Sequence, residues 1–508
     1  MMAAHEQRHS YTLSALLAGI AEVAAEADRP VSGLALDSRR VGPGQAFVAL
    51  AGTRTHGLDH ADTAIAAGAV AVLWEAEGRA APLALSWRTG PGGHKVPLLA
   101  IPELSQLVGV IADRFYGQPS HRLFTVGVTG TNGKTSVTQF LAQILSADAP
   151  CGVIGTLGNG LYGQLSETRH TTPDAITTHA LLSDMCDRGA SAAVLEVSSH
   201  GLEQGRVNGV AFDTAVFTNL SHEHLDYHGD MDAYGRAKRR LFEMPGLRTA
   251  VVNADDAFGR ELLTRLSADV QVLSYGLEVH GKAPTLYGTE LRLDLEGLRL
   301  QVHSPWGEGE LVSSLLGRFN AANLLAVLGV LLAHGMALDT ALAGLAGLTT
   351  VPGRMERFGG GERPLLVVDY AHTPDALEQV LAALREHTAG SLWCVFGCGG
   401  ERDRAKRPFM GRAAERLADF VVLTDDNPRG ENPWDIVSHI QAGMQRPDAA
   451  YVERDRAAAI ERAFALAGPG DVVLIAGKGH EDYQEVAGER RSFSDVEQVR
   501  RLLGEAGR

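Results

Sequence analysis

Residues 125–136 read Thr125-Val126-Gly127-Val128-Thr129-Gly130-Thr131-Asn132-Gly133-Lys134-Thr135-Ser136, and this stretch decides the fold. An apolar run breaks into closely spaced glycines, which let backbone amides turn toward an anion. In such a phosphate loop, Lys134 reaches the outer phosphates of a nucleotide and the Thr135 hydroxyl is placed to ligate Mg²⁺. The apolar-periodic run 137–141 follows, so the stretch has the strand-loop-helix context that the motif requires. The sequence therefore predicts a nucleotide-binding sheet domain.

Val128 departs from the general form of this motif, which has glycine five residues before the Gly-Lys pair. The departure leaves a second interpretation open, in which the glycines only form a turn between two elements. The strand, loop and helix pattern around the glycines favours the phosphate loop.

The composition indicates a globular protein of several domains. The chain has 508 residues, which at roughly 150 residues per domain suggests three domains. The first residues lack a basic flank that leads into an apolar stretch, and no segment reaches the apolar length of a membrane span, so we expect a cytoplasmic protein. The net charge of -15 gives no general attraction to nucleic acid. The four cysteines are too few and too scattered for a disulfide scaffold.

Three α/β segments follow one another along the chain. Residues 1–105 mix short strands with an alanine-rich helix over 61–69 and predict a small N-terminal domain. Residues 106–350 alternate apolar runs with helical patterns, which predicts a central phosphate-loop domain around a parallel sheet. After Pro352-Gly353-Arg354 the pattern restarts, and residues 351–508 are predicted to form a Rossmann-like domain. The predicted fold class is therefore α/β with three domains.

Four apolar runs of the last domain are followed by polar or small residues, namely Asp369, Gly397, Asp425 and Gly477. Ligands of open parallel sheets bind beyond the carboxyl ends of the strands, which lie at one edge. The alternative is that Asp and Gly merely end each strand. Four such ends together favour a binding site at that edge.

A second group of candidate residues lies in the central domain. Glu196 ends an apolar run, where nucleotide-binding folds place a metal-binding carboxylate, so it is a candidate Mg²⁺ ligand. The spacing of His222, His224, Asp226 and His228 also permits a zinc site. No cysteine ligand accompanies these residues, and a phosphate loop requires a hard, oxygen-bound ion, which favours Mg²⁺.

Three motifs occur in order along the chain: Gly130-Thr131-Asn132-Gly133-Lys134-Thr135, Gly317-Arg318-Phe319-Asn320-Ala321-Ala322-Asn323 and Asp369-Tyr370-Ala371-His372-Thr373-Pro374. Together they resemble the Mur ligases, cytoplasmic ATP-dependent enzymes that form the amide bonds of the peptidoglycan stem peptide. The resemblance covers nearly the whole chain, and the Val128 departure fits the loop of this family. Within the family, the chain is most similar to the MurE type, which adds the third amino acid to UDP-N-acetylmuramoyl-L-alanyl-D-glutamate.

The resemblance extends to the choice of the third amino acid. Asp426-Asn427-Pro428-Arg429 resembles a recognition motif for meso-diaminopimelate, which differs from lysine by a carboxylate. A guanidinium is a planar, bidentate partner for a carboxylate, and Arg429 and Arg402 would supply it. Glu481 would bind the ammonium group of the substrate, near Gly477. Without the resemblance, Asn427-Pro428 indicates only a turn and residues 402–407 only a solvated basic face.

The resemblance also implies roles for residues outside these motifs. The uridine end of the nucleotide substrate would be held in the first domain by Leu36, Ser38, Thr53, Arg54 and Thr55. Its muramoyl-dipeptide part would be held by Thr171, Thr172, Ser198, Gln204 and Arg206. ATP would be enclosed from two domains by the loop 130–136 with Asn320, Asn323, Arg354, Asp369 and His372.

Lys238 matches the lysine that is carbamylated in this family. The modification by CO₂ turns a cation into an anion able to support Mg²⁺, together with Thr135, Glu196 and His224. From the residues alone, an unmodified surface lysine on a helix is the ordinary expectation.

The implied reaction is amide formation driven by ATP. The D-glutamate side-chain carboxylate attacks the γ-phosphate while Lys134 and Mg²⁺ neutralise the developing charge, and an acyl phosphate results. The amine of diaminopimelate then captures the acyl group. No residue stands out as the base for this amine.

Other functions stay open at this point. A ligase of the same superfamily would add L-lysine, or glutamate tails to folate, although Arg429 in its context argues against both. A nucleotide-gated regulatory protein would need no set of substrate-binding residues. A kinase would stop at the phosphorylated carboxylate and need no amine. We expect a monomer without membrane insertion or nucleic-acid binding.

Overall fold

The computed structural model describes residues 10–52, 55–76, 85–168, 170–221, 223 and 225–505. They form two compact units: the residues up to Thr285 with Gly329–Gly335, and Leu286–Leu328 with the residues from Met336 onward. No helix within the described ranges is long and apolar enough to cross a membrane. Thr53, Arg54, His222 and His224 lie outside the described residues.

The first unit begins with a small α/β layer. Its elements are β1 (Tyr11–Thr12), α1 (Leu13–Leu16), β2 (Pro30–Val31), β3 (Gly33–Ala35), β4 (Gln45–Ala49), α2 (Ala61–Ala66), β5 (Ala71–Ala76), β6 (Leu85–Thr89), β7 (Lys95–Pro102) and α3 (Leu104–Phe115). Strands β3, β4, β5 and β7 are parallel in this order, and β6 pairs antiparallel with β7. The helix predicted over 61–69 ends at Ala66 because Gly68 turns the chain at φ +105°.

The same unit continues with a larger parallel sheet. Its elements are β8 (Phe124–Thr129), α4 (Lys134–Leu145), β9 (Cys151–Gly155), β10 (Gly158–Leu161), β11 (Gln164–Ser166), α5 (Ala175–Asp187), β12 (Ala192–Glu196), α6 (Ser199–Glu203), β13 (Thr214–Phe217), α7 (Leu225–His228), α8 (Met231–Arg239), β14 (Thr249–Asn253), α9 (Ala257–Leu263) and β15 (Gln271–Gly276). Six strands are parallel in the order β9-β12-β8-β13-β14-β15, and β10 and β11 extend the sheet antiparallel beyond β9. Since β12 and β13 flank β8, the residues after these three strands meet at one edge.

The two sheets of the first unit are joined through α3 and α5. Ala175 and Ile176 of α5 belong to the same apolar core as Val108 and Ile111 of α3 and the inner face of the small sheet. This shared core explains why the two sheets form one compact unit.

The second unit contains an antiparallel sheet and a mostly parallel one. Its elements are β16 (Leu286–Asp294), β17 (Gly297–Ser304), β18 (Gly307–Ser313), α10 (Arg318–Ala333, which ends in the first unit), α11 (Leu338–Ala346), β19 (Glu356–Gly359), β20 (Leu365–Asp369), α12 (Pro374–His387), β21 (Leu392–Phe396), α13 (Lys406–Leu417), β22 (Phe420–Leu423), α14 (Pro433–Gln441), β23 (Tyr451–Val452), α15 (Arg456–Leu466), β24 (Val472–Ala476), β25 (Tyr483–Val486), β26 (Glu489–Ser492) and α16 (Asp495–Leu503). Strands β16, β17 and β18 are antiparallel. The larger sheet has the order β19-β20-β24-β21-β22-β23, in which only β19 is antiparallel.

The four strand ends predicted to converge share one edge of the larger sheet. Strands β20, β24, β21 and β22 are parallel neighbours, so Asp369, Gly477, Gly397 and Asp425 lie at their carboxyl ends. Gly477 has φ +119°, and a Cβ there would come within 2.5 Å of an Asp426 carboxylate oxygen. The predicted edge is confirmed, and the close approach of Asp426 explains the glycine.

Candidate functional site

The phosphate loop connects β8 to α4. Val128 lies within β8 and is fully buried, so the loop begins at Gly130 and needs no glycine at 128. Gly130 and Gly133 have φ +152° and +85°, angles that glycine adopts without strain. A Cβ on Gly130 would collide with the Thr218 hydroxyl. The chain after β13 therefore supports the loop from one side and dictates this glycine.

The loop presents the amino-terminal end of α4, a helix of 12 residues. Gly133 precedes this helix and no side chain caps its first turn, which leaves N–H groups directed toward the loop. Lys134 Nζ donates to the carbonyls of Gly130 and Thr131, each at 2.8 Å. An uncapped helix end beside a lysine ammonium fits the phosphates of a nucleotide.

Glu196 ends β12, in register with Val128 of the neighbouring strand. Its Oε2 accepts a hydrogen bond from Thr135 Oγ1 at 2.9 Å, and its Oε1 accepts one from the Thr156 N–H at 2.8 Å. Burial raises the pKa of Glu196, against the lowering effects of the Thr156 N–H and the Lys134 cation. A buried carboxylate beside a threonine hydroxyl is the kind of oxygen donor pair that Mg²⁺ prefers.

Lys238 lies on α8, one turn after Tyr234. The Tyr234 hydroxyl lies 3.2 Å from Thr131 Oγ1, and Lys238 Nζ lies 4.3 Å from the centre of the Tyr234 ring. Only 1% of Lys238 is exposed, so the ordinary expectation of a surface lysine is wrong. Burial lowers the pKa of Lys238 well below its usual value, the Lys134 cation lowers it further, and the Glu223 carboxylate opposes both.

Lys134 shows a similar shift. Burial lowers its pKa, while the carboxylates of Glu196 and Glu223 act in the opposite direction. The loop, β12 and α8 thus bring Lys134, Glu196 and Lys238 together. Burial lowers the pKa of both lysines and raises the pKa of Glu196, so it favours the neutral form of each. Such shifts are typical of sites whose charges are completed by a ligand.

The residues predicted to hold the muramoyl-dipeptide part lie beside Glu196. Thr172 Oγ1 donates to the Glu196 carbonyl at 2.8 Å and lies 3.1 Å from Ser198 Oγ. Arg206 Nη1 donates to the Thr172 carbonyl at 2.7 Å, and its Nη2 donates to Gln204 Oε1 at 2.6 Å. The structure therefore brings a guanidinium and two hydroxyls to the same strand end as the candidate metal ligand.

Thr156 was missed by the sequence reasoning. Besides its N–H, its Oγ1 donates to Glu196 Oε2 at 3.1 Å, and it lies 3.2 Å from Thr171 Oγ1, the remaining residue of the predicted set. Thr156 follows directly after β9, a parallel neighbour of β12. The rule that polar residues after parallel strands share one edge would have found it.

The residues predicted for the uridine end lie in the small α/β layer. Leu36 and Ser38 follow β3, and Ser38 is buried, whereas Thr55 lies exposed between β4 and α2. Glu75 holds the start of the adjacent loop, since its Oε2 accepts a hydrogen bond from the Ala51 N–H at 3.0 Å.

His228, at the end of α7, contacts α6. Its Nε2 lies 3.0 Å from Ser199 Oγ, and its Nδ1 lies 3.1 Å from Glu203 Oε2. Within the described ranges, no group of three or more His, Cys, Asp or Glu side chains is arranged to hold a metal ion. The zinc alternative thus gains no support from the part of the chain that the structure describes.

Asp369 anchors the second group, at the end of β20. Its carboxylate accepts hydrogen bonds from two backbone N–H groups at 2.7 and 2.8 Å. Burial raises the pKa of Asp369, although these N–H groups and the Arg354 cation lower it. The Arg354 guanidinium lies 5.2 Å from the centre of the Tyr370 ring, and His372 Nδ1 lies 2.8 Å from the Tyr370 carbonyl oxygen. Arg354, Asp369 and His372 therefore lie together.

Asn320 lies in the first turn of α10 and Asn323 in the second, and both are buried. Asn320 Nδ2 donates to the Leu316 carbonyl at 2.8 Å, and Asn323 Nδ2 donates to Asn320 Oδ1 at 3.1 Å. These contacts fix both amides with respect to the segment before the helix.

Arg429 lies in the loop after β22 at φ +51°, a left-handed conformation. Its Nη1 donates to the Gly400 carbonyl at 2.9 Å, and its Nε lies 3.4 Å from Glu485 Oε2. Arg402, the second predicted carboxylate partner, is exposed. The interpretation of residues 402–407 as a solvated basic face is wrong at Arg407, which is fully buried against Glu431.

Glu481 has partners within the protein. Its Oε2 accepts hydrogen bonds from Asn427 Nδ2 at 2.9 Å and from Lys478 Nζ at 3.1 Å. Lys478 also donates to Asn427 Oδ1 at 3.2 Å and is fully buried. Lys478 was missed as a member of this site, although it lies inside the Gly477-Lys478-Gly479 segment that follows β24.

Three described protein domains match consecutive parts of the chain: "Mur ligase family, catalytic domain" matches residues 30–116, "Mur ligase middle domain" matches 128–331, and "Mur ligase, glutamate ligase domain" matches 353–479. A UDP-N-acetylmuramoyl-L-alanyl-D-glutamate--2,6-diaminopimelate ligase from Alkalilimnicola ehrlichii is 53% identical over 94% of this chain and 96% of its own. The chain belongs to the Mur ligase family. The relative of the same name from Pseudomonas aeruginosa is 50% identical over 94% of this chain and 96% of its own.

A solved structure extends the similarity to the fold of this Mur ligase. A 2,6-diaminopimelate ligase of the same name superposes with a TM-score of 0.77 at 39% identity, over 97% of this chain and 99% of the other. The predicted α/β fold class and the family are confirmed. The chain is therefore an ATP-dependent, amide-forming ligase.

Proposed function

We propose that this ligase joins meso-diaminopimelate to the D-glutamate side-chain carboxylate of UDP-N-acetylmuramoyl-L-alanyl-D-glutamate, in the synthesis of the peptidoglycan precursor. The observation that carries the proposal is the likeness, over 94% of the chain, to relatives whose names state these two substrates. The placement of Arg429 at the carboxyl-end edge of the second unit's sheet supports the choice of the amino acid.

The chain's own residues suit the activation of a carboxylate. Lys134 and the uncapped end of α4 bind and orient the phosphates of ATP, and the lysine cation offsets negative charge as the γ-phosphoryl group passes to the substrate carboxylate. Arg206 and Thr172 hold the dipeptide part beside the same strand end. The amine of the amino acid then attacks the acyl phosphate, the amide forms, and phosphate leaves.

Thr135 and Glu196 would hold Mg²⁺, with His224 and a carbamate on Lys238 as further ligands. Bound Mg²⁺ would neutralise phosphate charge and orient the oxygens during transfer. The lowered pKa of Lys238 supports the carbamate, because only a neutral amine attacks CO₂. The nitrogen bonds to the carbon of CO₂ and loses one proton, which leaves an anion where the unmodified residue would carry a cation.

Residues of the second unit would provide the remaining contacts. Asn320, Asn323, Arg354, Asp369 and His372 would contact ATP. Arg429 and Arg402 would bind the carboxylate that distinguishes diaminopimelate from lysine. Glu481, with Asn427 and Lys478 already fixed to it, would bind an ammonium group of the amino acid.

Three further features complete the proposal. The working domains are residues 1–105, 106–350 and 351–508, the last of which carries the amino-acid site. The protein acts as a monomer in the cytoplasm, where ATP and nucleotide-linked substrates are found.

The test incubates purified protein with ATP, Mg²⁺ and the UDP-muramoyl dipeptide, and offers meso-diaminopimelate and L-lysine in separate reactions. Phosphate release and product mass are read. We expect an amide product with diaminopimelate and at most a trace with lysine. Equal use of lysine would refute the amino-acid specificity, and phosphate release without any amide would favour a kinase.

Arg429→Ala sharpens the test of the amino-acid site. We expect the KM for diaminopimelate to rise about a hundredfold, because a charge-assisted contact to a carboxylate is lost, while the KM for ATP changes less than threefold. Arg412→Ala is the matched control, since it removes an exposed arginine of α13. An unchanged KM for diaminopimelate in Arg429→Ala would exclude this role.

A further inference from the structure

One buried histidine of the second unit touches the segment that precedes α10. His387 is the last residue of α12. The Gly317 N–H donates to its Nε2 at 2.7 Å, and its Nδ1 lies 2.6 Å from the Asp294 carbonyl oxygen. Because a backbone N–H only donates and a carbonyl only accepts, Nε2 carries no proton and Nδ1 carries one. The two contacts thus define a neutral imidazole in a single tautomer.

Gly317 leads directly to the two asparagines. The Asn320 N–H donates to the Gly317 carbonyl at 2.9 Å, and Asn320 Nδ2 donates to the adjacent Leu316 carbonyl. Asn323 is in turn held by Asn320 Oδ1. A continuous series of hydrogen bonds therefore runs from His387 through Gly317 to both amide side chains.

The hairpin turn between β16 and β17 is fixed to the same segment. Arg357 Nη1 donates to the Glu296 carbonyl at 2.7 Å and to the Ser314 carbonyl at 2.9 Å. A Cβ on Gly297 would collide with the Ser313 carbonyl, so the turn lies directly against the chain that leads to Gly317. Arg357 and the turn hold residues 313–314. His387 holds Gly317, which is closer in the chain to the two asparagines.

The charges around His387 come from three elements. Burial lowers the pKa of His387 below its ordinary value of 6.5, the Asp294 and Glu386 carboxylates raise it, and the Arg357 guanidinium lowers it. The neutral form that the contacts require is therefore also the form that the surroundings favour at pH 7 and above.

We propose that His387 is a positioning residue for ATP, which in its neutral form holds Gly317 and, through it, Asn320 and Asn323 in the conformation that binds the nucleotide. The proposal rests on the proposed function for the assignment of the two asparagines to ATP. Protonation would place an N–H on Nε2 opposite the Gly317 N–H. Two facing donors repel each other, so the contact opens and the affinity for ATP falls in acid.

The test compares two substitutions in the full-length protein that both replace His387 with a side-chain amide. In His387→Gln, the side-chain amide reaches as far as Nε2 and can accept from Gly317, whereas in His387→Asn it reaches only as far as Nδ1. We expect His387→Asn to raise the KM for ATP and the dissociation constant for ATP about tenfold at pH 8, because a buried N–H loses its acceptor. His387→Gln should stay within threefold of the wild type, and the KM for diaminopimelate should change less than twofold in both.

The dependence on pH provides the second readout. The wild type should lose affinity for ATP only as the pH falls below 6.5, through the lowered pKa of His387, and His387→Gln, which cannot be protonated there, should lose clearly less. His303→Gln is the control, because it removes a histidine of β17 that is unconnected to Gly317. Equal ATP affinities of the Gln and Asn variants, or the same pH profile in the wild type and His387→Gln, would overturn the proposal.

Calorimetric binding of ATP separates this test from that of the proposed function. Binding needs no amide formation, so a wild type that binds ATP but makes no product would refute the proposed ligation and still permit the comparison. If His387→Asn does not fold, the pH profiles of the wild type and His387→Gln decide by the same criterion.

Discussion

Buried or part-buried ionisable groups occur in both units, but their pKa values are shifted in different ways. Beside the phosphate loop, Lys134, Glu196 and Lys238 are all shifted toward their neutral forms, in each case mainly by burial. In the second unit, Arg456 and Asp495 are fully buried and joined by two hydrogen bonds of 2.7 Å, and the pKa of Arg456 is raised by Asp495 in spite of burial. The difference lies in the pairing, since both groups have lost most of their contact with water.

The comparison separates structural charges from functional ones. A buried pair with matched geometry, such as Arg456 with Asp495, keeps both of its groups charged without a ligand. A carboxylate that accepts hydrogen bonds from threonine groups, or a lysine that contacts carbonyls or a ring face, is stabilised in its charged form when a group of opposite charge binds. Predictions that alter one member of each kind therefore have different readouts, namely activity in the first unit and stability in the second.

The largest effect is expected for Lys134→Met, which keeps the length of the side chain and removes its charge. Loss of the cation that stabilises the transferring phosphoryl group should lower kcat about 10³-fold, or about 4 kcal/mol in the barrier. Phosphate release at saturating substrates measures it, with circular dichroism to check the fold. Lys95→Met, at an exposed lysine of the first unit, is the control. A loss below tenfold would place Lys134 among the structural charges.

Arg456→Met should act on stability instead. It leaves the Asp495 carboxylate buried without its partner, which should lower the free energy of unfolding by about 3 kcal/mol. The double variant Arg456→Met/Asp495→Leu should lose less, because no charge stays buried. Urea denaturation measures both. If the double variant were less stable than the single one, the pair would contribute net stability beyond relief of the unpaired charge.

The sequence predicts the strands better than it predicts which charged side chains are buried. The strands β12, β20 and β24 end at or one residue before Glu196, Asp369 and Gly477, where the sequence predicts strand ends, because an apolar run bounded by polar or small residues is a local signal. The burial of Lys238 and of Arg407 is not local. Helix α8, which carries Lys238, packs on α6, and Arg407 is covered by Glu431 from a loop 24 residues away.

The candidate site shows the same division. The loop 130–136 and the strand ends at Glu196 and Asp369 follow from pattern, whereas the partners of these residues depend on neighbouring strands. Thr156 reaches Glu196 across the sheet, and Lys478 reaches Asn427 from another strand end. A single sequence specifies which residues end strands, but the choice of hydrogen-bond partner is made by tertiary packing.

Glu196 in the first unit and Glu431 in the second test the comparison, because their pKa values are shifted in opposite directions. The pKa of Glu196 is raised above its ordinary 4.5, so its ionised form costs stability, and this cost grows as the pH rises from 4.5 through the folded pKa. Glu196→Gln should therefore raise the free energy of unfolding at pH 7.5 without metal or nucleotide, while it lowers kcat. The hydroxyls of Thr135 and Thr156 can rotate to accept from the new amide.

Glu431→Gln should have the opposite sign. Hydrogen bonds from Arg407 lower the pKa of Glu431 to about 2, so its stabilising effect is present above pH 4.5 and is lost as the pH falls toward 2. The variant should be less stable than the wild type at pH 7.5, and the difference should shrink in acid. Urea denaturation of both variants across this range is the measurement. The same sign for both would remove the distinction between the two regions.

The smallest effect is expected for an ion pair on the surface. Arg265 Nη2 lies 2.9 Å from Glu261 Oε1, nearly as close as the atoms of the buried Arg456–Asp495 pair, but about half of each side chain is exposed. Water and salt screen this contact, so Arg265→Ala should change the free energy of unfolding by only about 0.3 kcal/mol, and less in 1 M salt. A loss near that of Arg456→Met would mean that distance determines the strength of these pairs. The predicted tenfold difference in the free energy of unfolding, at nearly equal distances, would instead show that burial decides how much each pair contributes.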